Sequence, residues 1–236
     1  GRIIRGVKNA ESPEWMKTRL AAMGLNPKNA LVDITNYVMF ELGNPLHAFD
    51  LRLVEGGKII VRNAQEGEKF TVLGGRELTL NANCLMIADE KKATALAGIM
   101  GGLNSGIQED TTDIFIEAAY FDAPTINKTV KKFAITSDAA QRFERGTDVE
   151  GAMLAMRRAS ELFVQICGGA ASEVRDVYPT PYKNPEVVFT PAEINKILGT
   201  QIPEERLKEI FARLALLFNA DGEKWTFVAP THRRDL

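Results

Sequence analysis

The stretch from Leu31 to Asp50, LVDITNYVMFELGNPLHAFD, constrains this chain most strongly. Leu31, Ile34, Val38 and Leu42 recur at helical spacing. Gly43 and Pro45 then stop the helix, one as a C-terminal cap and the other as a breaker. Within this frame Thr35 and Asn36 are polar residues in mid-helix, and His47 follows just past its end. Asn36 to Leu42 covers roughly 9 Å at ~1.5 Å per residue, and the five residues after Leu42 span that distance in return. Thr35, Asn36 and His47 are therefore predicted to line one small polar pocket. The plainer alternative leaves Asn36 at the surface or on backbone, with His47 closing the Asn44–Pro45 turn.

A length of 236 residues suits one large or two ordinary domains, with enough chain to bury real cores. The formal net charge of −2 argues against a whole-surface nucleic-acid binder but leaves room for a local basic patch. No apolar run is long enough to span a bilayer and no signal peptide is visible, so no membrane partner is expected. Cys84 and Cys167 lie far apart in apolar surroundings. They read as buried small hydrophobes in a reducing cytoplasm rather than as zinc ligands. The chain begins with Gly1, and RIIRGV reads as a strand from the start, as expected of a piece of a longer protein.

Along the chain, Ser12–Pro13–Glu14 is expected to open a helix with Ser12 as its cap and with Trp15, Met16, Leu20 and Met23 on its apolar side. From Lys58 the pattern turns to short strands: KIIVRNA, KFTVL, ELTL and LMIAD, with Gly74–Gly75 as a hairpin signal. DIFIEAAYF is another strand, with Ile114, Ile116 and Ala118 on one face and Phe115, Glu117 and Ala119 on the other. Helices are expected over 124–133, 139–144 and 148–167, followed by a strand in SEVRDVYP. Pro179, Pro181 and Pro185 in a short polar run read as a linker, which places a boundary near Tyr182. Beyond it, strand VVF, helices over 190–198 and 203–214 and strand WTFVAP outline a helix-turn-helix or winged helix. The fold class is therefore α+β: a mixed-sheet domain with packed helices over residues 1–181, then a small winged-helix-like domain over 182–236.

The common hydrolase, metalloprotease and phosphate-loop motifs are absent, and two histidines exclude a histidine-rich metal site. The glycines between Gly98 and Gly102 lack dinucleotide spacing and point to tight turning or to a ligand approaching bare backbone. Glu117 lies on a strand apolar on both sides, which places its carboxylate in partly buried space. An ion pair or an edge position facing water is the alternative. QRFERG, over 141–146, suggests ion pairs that hold helices together, with phosphate contact as the alternative. Lys128, Lys131 and Lys132 read as a solvated face, with a weak nucleic-acid contact as the alternative.

Five stretches, SPEWMKTRLAAMGLNPKNALVDITNYVMFELGNPLHAFD, ALAGIMGG, FIEAAYFDAPTI, TSDAAQRFERGTD and VAPTHRRDL, together resemble the bacterial phenylalanyl-tRNA synthetase β subunit, in order and over essentially the whole chain. The resemblance implies a central editing domain followed by a winged-helix-like domain. It implies hydrolysis of tRNA(Phe) mischarged with tyrosine, in support of the phenylalanine-tRNA ligase activity of an αβ assembly. The residues it carries over are Thr35, Asn36, His47 and Gly98, which surround the ester and the terminal adenosine, and Glu117 as reader of the tyrosine hydroxyl. An ionised Glu117 only accepts hydrogen bonds, so a phenol satisfies it and a phenyl ring does not. Asp235 matches the first of four acidic residues of a magnesium site whose other members lie beyond Leu236, so no metal or other cofactor is expected here. Magnesium and ATP serve the full enzyme. The implied partners are the acceptor end of tRNA(Phe) and the α subunit, in the cytoplasm. The competing readings are a structural module without catalysis, and weak DNA or RNA binding by the C-terminal part through Arg206, Lys208, Arg213, Arg233 and Arg234, set against nearby Glu193, Glu204, Glu205 and Glu209.

Overall fold

A computed structural model describes all 236 residues. The chain divides into two compact units, Gly1–Val177 and Tyr178–Leu236. No helix is long and apolar enough to cross a membrane.

In the first unit the elements run β1 (Arg2–Arg5), α1 (Glu14–Ala22), α2 (Ala30–Leu42), β2 (Leu46–Asp50), β3 (Ile60–Asn63), β4 (Lys69–Thr71), β5 (Glu77–Thr79), β6 (Leu85–Ala88), β7 (Ala93–Leu96), β8 (Met100–Gly101), β9 (Asp113–Ala118), α3 (Ala123–Phe133), α4 (Asp138–Phe143), α5 (Gly151–Cys167) and β10 (Ala170–Ala171). Three antiparallel sheets result, in the orders β10-β1-β9-β2, β3-β6-β7-β8 and β4-β5. The first sheet separates two cores. Ile4, Ala48, Ile114 and Ile116 pack with residues of α1, α2 and α5, while Phe49 and Phe115 turn to a second core shared with β4 to β8, α3 and α4. The two-residue alternation expected of β9 is thus what divides the unit.

The local signals behave mostly as their chemistry dictates. Asn29 caps α2 by accepting from the Val32 amide, and Gly43 ends that helix in the left-handed conformation at φ +76°. Gly74 and Gly75, both at positive φ, turn β4 into β5. Three expectations are corrected. Ser12 does not cap α1: Pro13 holds that place, and the buried Ser12 hydroxyl donates to Asp33 Oδ2 at 2.6 Å. A buried carboxylate is the stronger acceptor and takes the hydroxyl from the helix end. Trp15 and Met23 are largely exposed, so the packed side of α1 narrows to Met16 and Leu20. The strand expected in SEVRDVYP shrinks to β10, two residues earlier, and Glu173–Val177 runs without a ladder.

The second unit contains β11 (Glu186–Phe189), α6 (Pro191–Leu198), α7 (Glu204–Arg213), β12 (Phe218–Asp221) and β13 (Lys224–Val228). Its sheet order is β11-β13-β12. The succession strand, two helices, hairpin is winged-helix-like, and β12 is an element that the sequence pattern did not suggest. Thr190 and Glu193 form a reciprocal capping box at the start of α6. The core is aromatic: Phe189 stacks on Phe211, and Phe218 on the fully buried Trp225.

Candidate active site

A cavity of about 480 Å³ lies in the first unit where α2, the β2–β9 ladder, the β7–β8 hairpin and the start of α4 converge. That volume falls within the range of ~300–1,000 Å³ usual for small-molecule sites. Thr35, Asn36, His47, Gly98 and Glu117 all line it. The structure thus brings together the five residues singled out for the pocket.

His47 arrives there by a different route from the one its spacing suggested. It does not close a turn but is the second residue of β2, directly opposite Glu117 in the antiparallel ladder. Directly paired residues put their side chains on the same face of a sheet. His47 and Glu117 therefore project together from the face that also carries Phe49 and Phe115, and the His47 ring meets Phe49 edge-on at 4.4 Å.

Electrostatically the pair is unsatisfied. Burial pushes the Glu117 carboxyl up to about 7, the amino group of Gly1 opposes that shift, and no hydrogen bond holds the charged form. Burial alone lowers the His47 imidazole to about 4, and its buried Nε2 has no partner. Burial thus shifts Glu117 toward its protonated form, against the ionised acceptor that the resemblance implies. His47 is neutral at neutral pH and a weak base. Natural interiors leave few buried polar atoms unpaired, and those that remain call for an explanation.

The surrounding backbone accommodates the pair. Gly101 packs against the imidazole so closely that a Cβ there would sit 2.9 Å from His47 Cε1. Gly98 is at φ +66°, and a Cβ on it would sit 2.8 Å from the Phe121 ring and 3.1 Å from Ile126 and Phe143. Only glycine fits, and its backbone is left open to the cavity. On α2, Thr35 Oγ1 donates back to the Val32 carbonyl at 2.7 Å.

The remaining candidates are distributed elsewhere. Arg142 lies 4.4 Å over the Phe40 ring, linking α4 to α2, while Glu144 accepts from Asn127 of α3 rather than from its neighbouring arginines. Lys128, Lys131 and Lys132 are exposed. In the second unit Arg206, Lys208, Arg213 and Arg233 are each ion-paired with an acid of the same unit, which leaves less charge for a phosphate backbone. Asp235 is held down to about 2 by Arg233, which donates to it at 2.7 and 2.8 Å. No group of three or more His, Cys, Asp or Glu residues is placed to hold a metal.

Sequence reasoning missed Lys28 and Asp138, which line the same cavity. Asp138 follows Ser137, whose hydroxyl accepts from the Ala140 amide, and a Ser-Asp pair ahead of an apolar run is a helix-start signal. Missed as well were the buried acids Asp33, Asp50 and Asp89, which are structural.

A half-buried carboxyl opposite an imidazole, in a cavity approached by bare glycine backbone, belongs to an α+β domain that a small winged-helix-like one follows. The chain belongs to the B3/4 domain family, whose model matches residues 1–168, and residues 187–236 match the tRNA synthetase B5 domain. Over its whole length the chain is 42% identical to the phenylalanine–tRNA ligase beta subunit of Oleidesulfovibrio alaskensis and 44% identical to that of Syntrophus aciditrophicus, covering 30% of each. The chain thus spans about a third of the curated relatives it matches. A solved N-terminal fragment of the phenylalanyl-tRNA synthetase beta subunit from Pyrococcus horikoshii aligns with 100% of this chain and 65% of its own, at 17% identity and a TM-score of 0.48.

Proposed function

We propose that the first unit is a hydrolytic editing domain, bounded near residue 181, that releases tyrosine from mischarged tRNA(Phe). The observation that carries this reading is the half-buried Glu117 carboxyl set directly opposite His47, whose buried Nε2 has no partner, in one cavity. Phenylalanine and tyrosine differ by one hydroxyl, and a pocket that selects the former by apolar contact rejects the latter incompletely. A second pocket that inverts the preference needs a dry acceptor for the phenol. Such sites discriminate by ~10⁴ or more.

A carboxyl with a pKa of about 7 adds a pH dependence. The phenol donates to the ionised carboxylate, so tyrosine binding tolerates the charge. Phenylalanine leaves that charge dry, and the carboxyl takes up a proton when the phenyl ring binds. Above neutrality each pH unit makes that uptake about tenfold less favourable. Discrimination against phenylalanine therefore rises with pH.

Thr35, Asn36 and His47 orient the ester and the attacking water. With its basicity lowered, His47 serves as a positioning group rather than as the proton acceptor, since an efficient base titrates near the working pH. The proton that the attacking water loses passes through a hydroxyl or phosphate of the substrate to the leaving ribose oxygen. The backbone at Gly98 stabilises the oxyanion. Residues 182–236 form the winged-helix-like domain of the same subunit, and the whole αβ assembly, with magnesium and ATP, aminoacylates tRNA(Phe) in the cytoplasm.

The test presents tRNA(Phe) charged with tyrosine, and separately with phenylalanine, to the whole αβ assembly. Rapid release of tyrosine with phenylalanine largely retained supports the reading. Equal release of both, or of neither, contradicts it.

A further inference from the structure

A tyrosyl ester carries two hydrogen-bond donors at opposite ends: a neutral phenol and a cationic α-ammonium group. Editing by the cavity described above has to place both. Four ionisable side chains line that cavity: Lys28, His47, Glu117 and Asp138. Lys28 repels an ammonium group. His47 and Glu117 sit together where β2 and β9 pair, both half-buried, and a cation brought against them gives up part of its water. Asp138 is different. It is the first residue of α4, and 46% of its side chain is exposed.

Its surroundings also fix it in place. Arg142 Nη1 donates to the Asp138 carbonyl at 2.8 Å and reaches Oδ1 only at 3.4 Å. The guanidinium is itself held over the Phe40 ring of α2. Oδ2 makes no hydrogen bond within the protein, so one carboxylate oxygen of this cavity-lining residue is free to accept. A hydrated carboxylate is the better seat for a cation, and a dry one for a neutral donor.

We propose that Asp138 receives the α-ammonium group of the aminoacyl ester and so sets the direction in which the substrate lies between α4 and Glu117. The inference rests on the editing reading. It makes Asp138 a specificity-determining contact at the end of the substrate opposite the phenol. A charge-assisted hydrogen bond of this kind changes binding by about tenfold or more.

The experiment uses the whole αβ assembly and two esters of tRNA(Phe): tyrosyl, and 3-(4-hydroxyphenyl)propionyl, which lacks only the amino group. With the tyrosyl ester, Asp138→Asn is expected to raise KM about tenfold and leave kcat within about twofold, while Asp138→Glu recovers part of the loss. With the des-amino ester, wild type and Asp138→Asn are expected to behave alike. Equal losses on both esters, or no loss on the tyrosyl ester, overturn the assignment. If Glu117→Ala meanwhile abolishes the preference for tyrosyl over phenylalanyl ester, the editing reading survives and only the role of Asp138 falls. A wild-type assembly that hydrolyses neither ester overturns both.

Discussion

The two ends of the β2–β9 ladder each hold a carboxylate, and they are treated in opposite ways. At one end Asp50, paired with Ile114, is completely buried. Burial alone raises its pKa, but hydrogen bonds from Arg52, Thr111 and the Arg52 amide more than offset that and leave it lowered. At the other end Glu117, paired with His47, has no such bonds and is raised to about 7. The same sheet thus contains a carboxylate that serves the fold and one that the fold tolerates. Structural acids are recognised by satisfied oxygens, and a half-buried acid without such bonds is a candidate for receiving a ligand.

Substitutions at the two ends should separate these roles. The largest effect on stability is expected at Asp50. Asp50→Ala removes the acceptor of the buried Thr111 hydroxyl, which donates to it at 2.7 Å, and should cost roughly 3 kcal/mol in urea unfolding at pH 7. A loss below about 1 kcal/mol would erase the contrast.

Glu117→Gln should act in the other direction. Raising the folded pKa above 4.5 means that the folded state favours the proton, so wild-type stability is highest below pH 4.5 and falls as pH rises toward 7. The glutamine variant should therefore match wild type near pH 4.5 and exceed it by up to about 3 kcal/mol at pH 8. Equal stability at pH 8 would mean that Glu117 is well solvated or paired.

His47 has the opposite sign. Its folded pKa lies below 6.5, so its contribution is lost as pH falls from 6.5 toward 4. Between pH 4.5 and 6.5 the two slopes oppose each other, and wild-type stability should vary little from these groups. His47→Gln should unmask the Glu117 slope in thermal unfolding. The same variant should keep tyrosine release within about tenfold of wild type, because a positioning group contributes less than a proton acceptor does. A loss of ~10²-fold or more would restore His47 as the base.

The pattern of what could be read from the sequence follows from range. Helix ends signalled by Gly43, Thr190 and Gly199 depend on bonds within a few residues, and they formed as their chemistry dictates. The two-residue alternation of β9 divided Ile114 and Ile116 from Phe115 as expected. Ser12 went astray because its competing acceptor, Asp33, lies 21 residues away. The Thr35–Asn36–His47 grouping was visible from spacing alone, yet its partner Glu117 lies 70 residues after His47, and only the ladder register brings the two together. Asp138 joins the cavity from still farther along the chain. Partial burial of Glu117 was legible in its strand, but the absence of a partner that would hold its charge depends on residues distant in sequence.

The most direct test of the account compares hydrolysis of tyrosyl and phenylalanyl esters of tRNA(Phe) by the αβ assembly, wild type and Glu117→Ala, across pH 6 to 9. The account predicts a wild-type preference for the tyrosyl ester that grows with pH above 7, and a variant whose preference is lost at every pH. A Glu117→Ala variant that discriminates as well as wild type would contradict it.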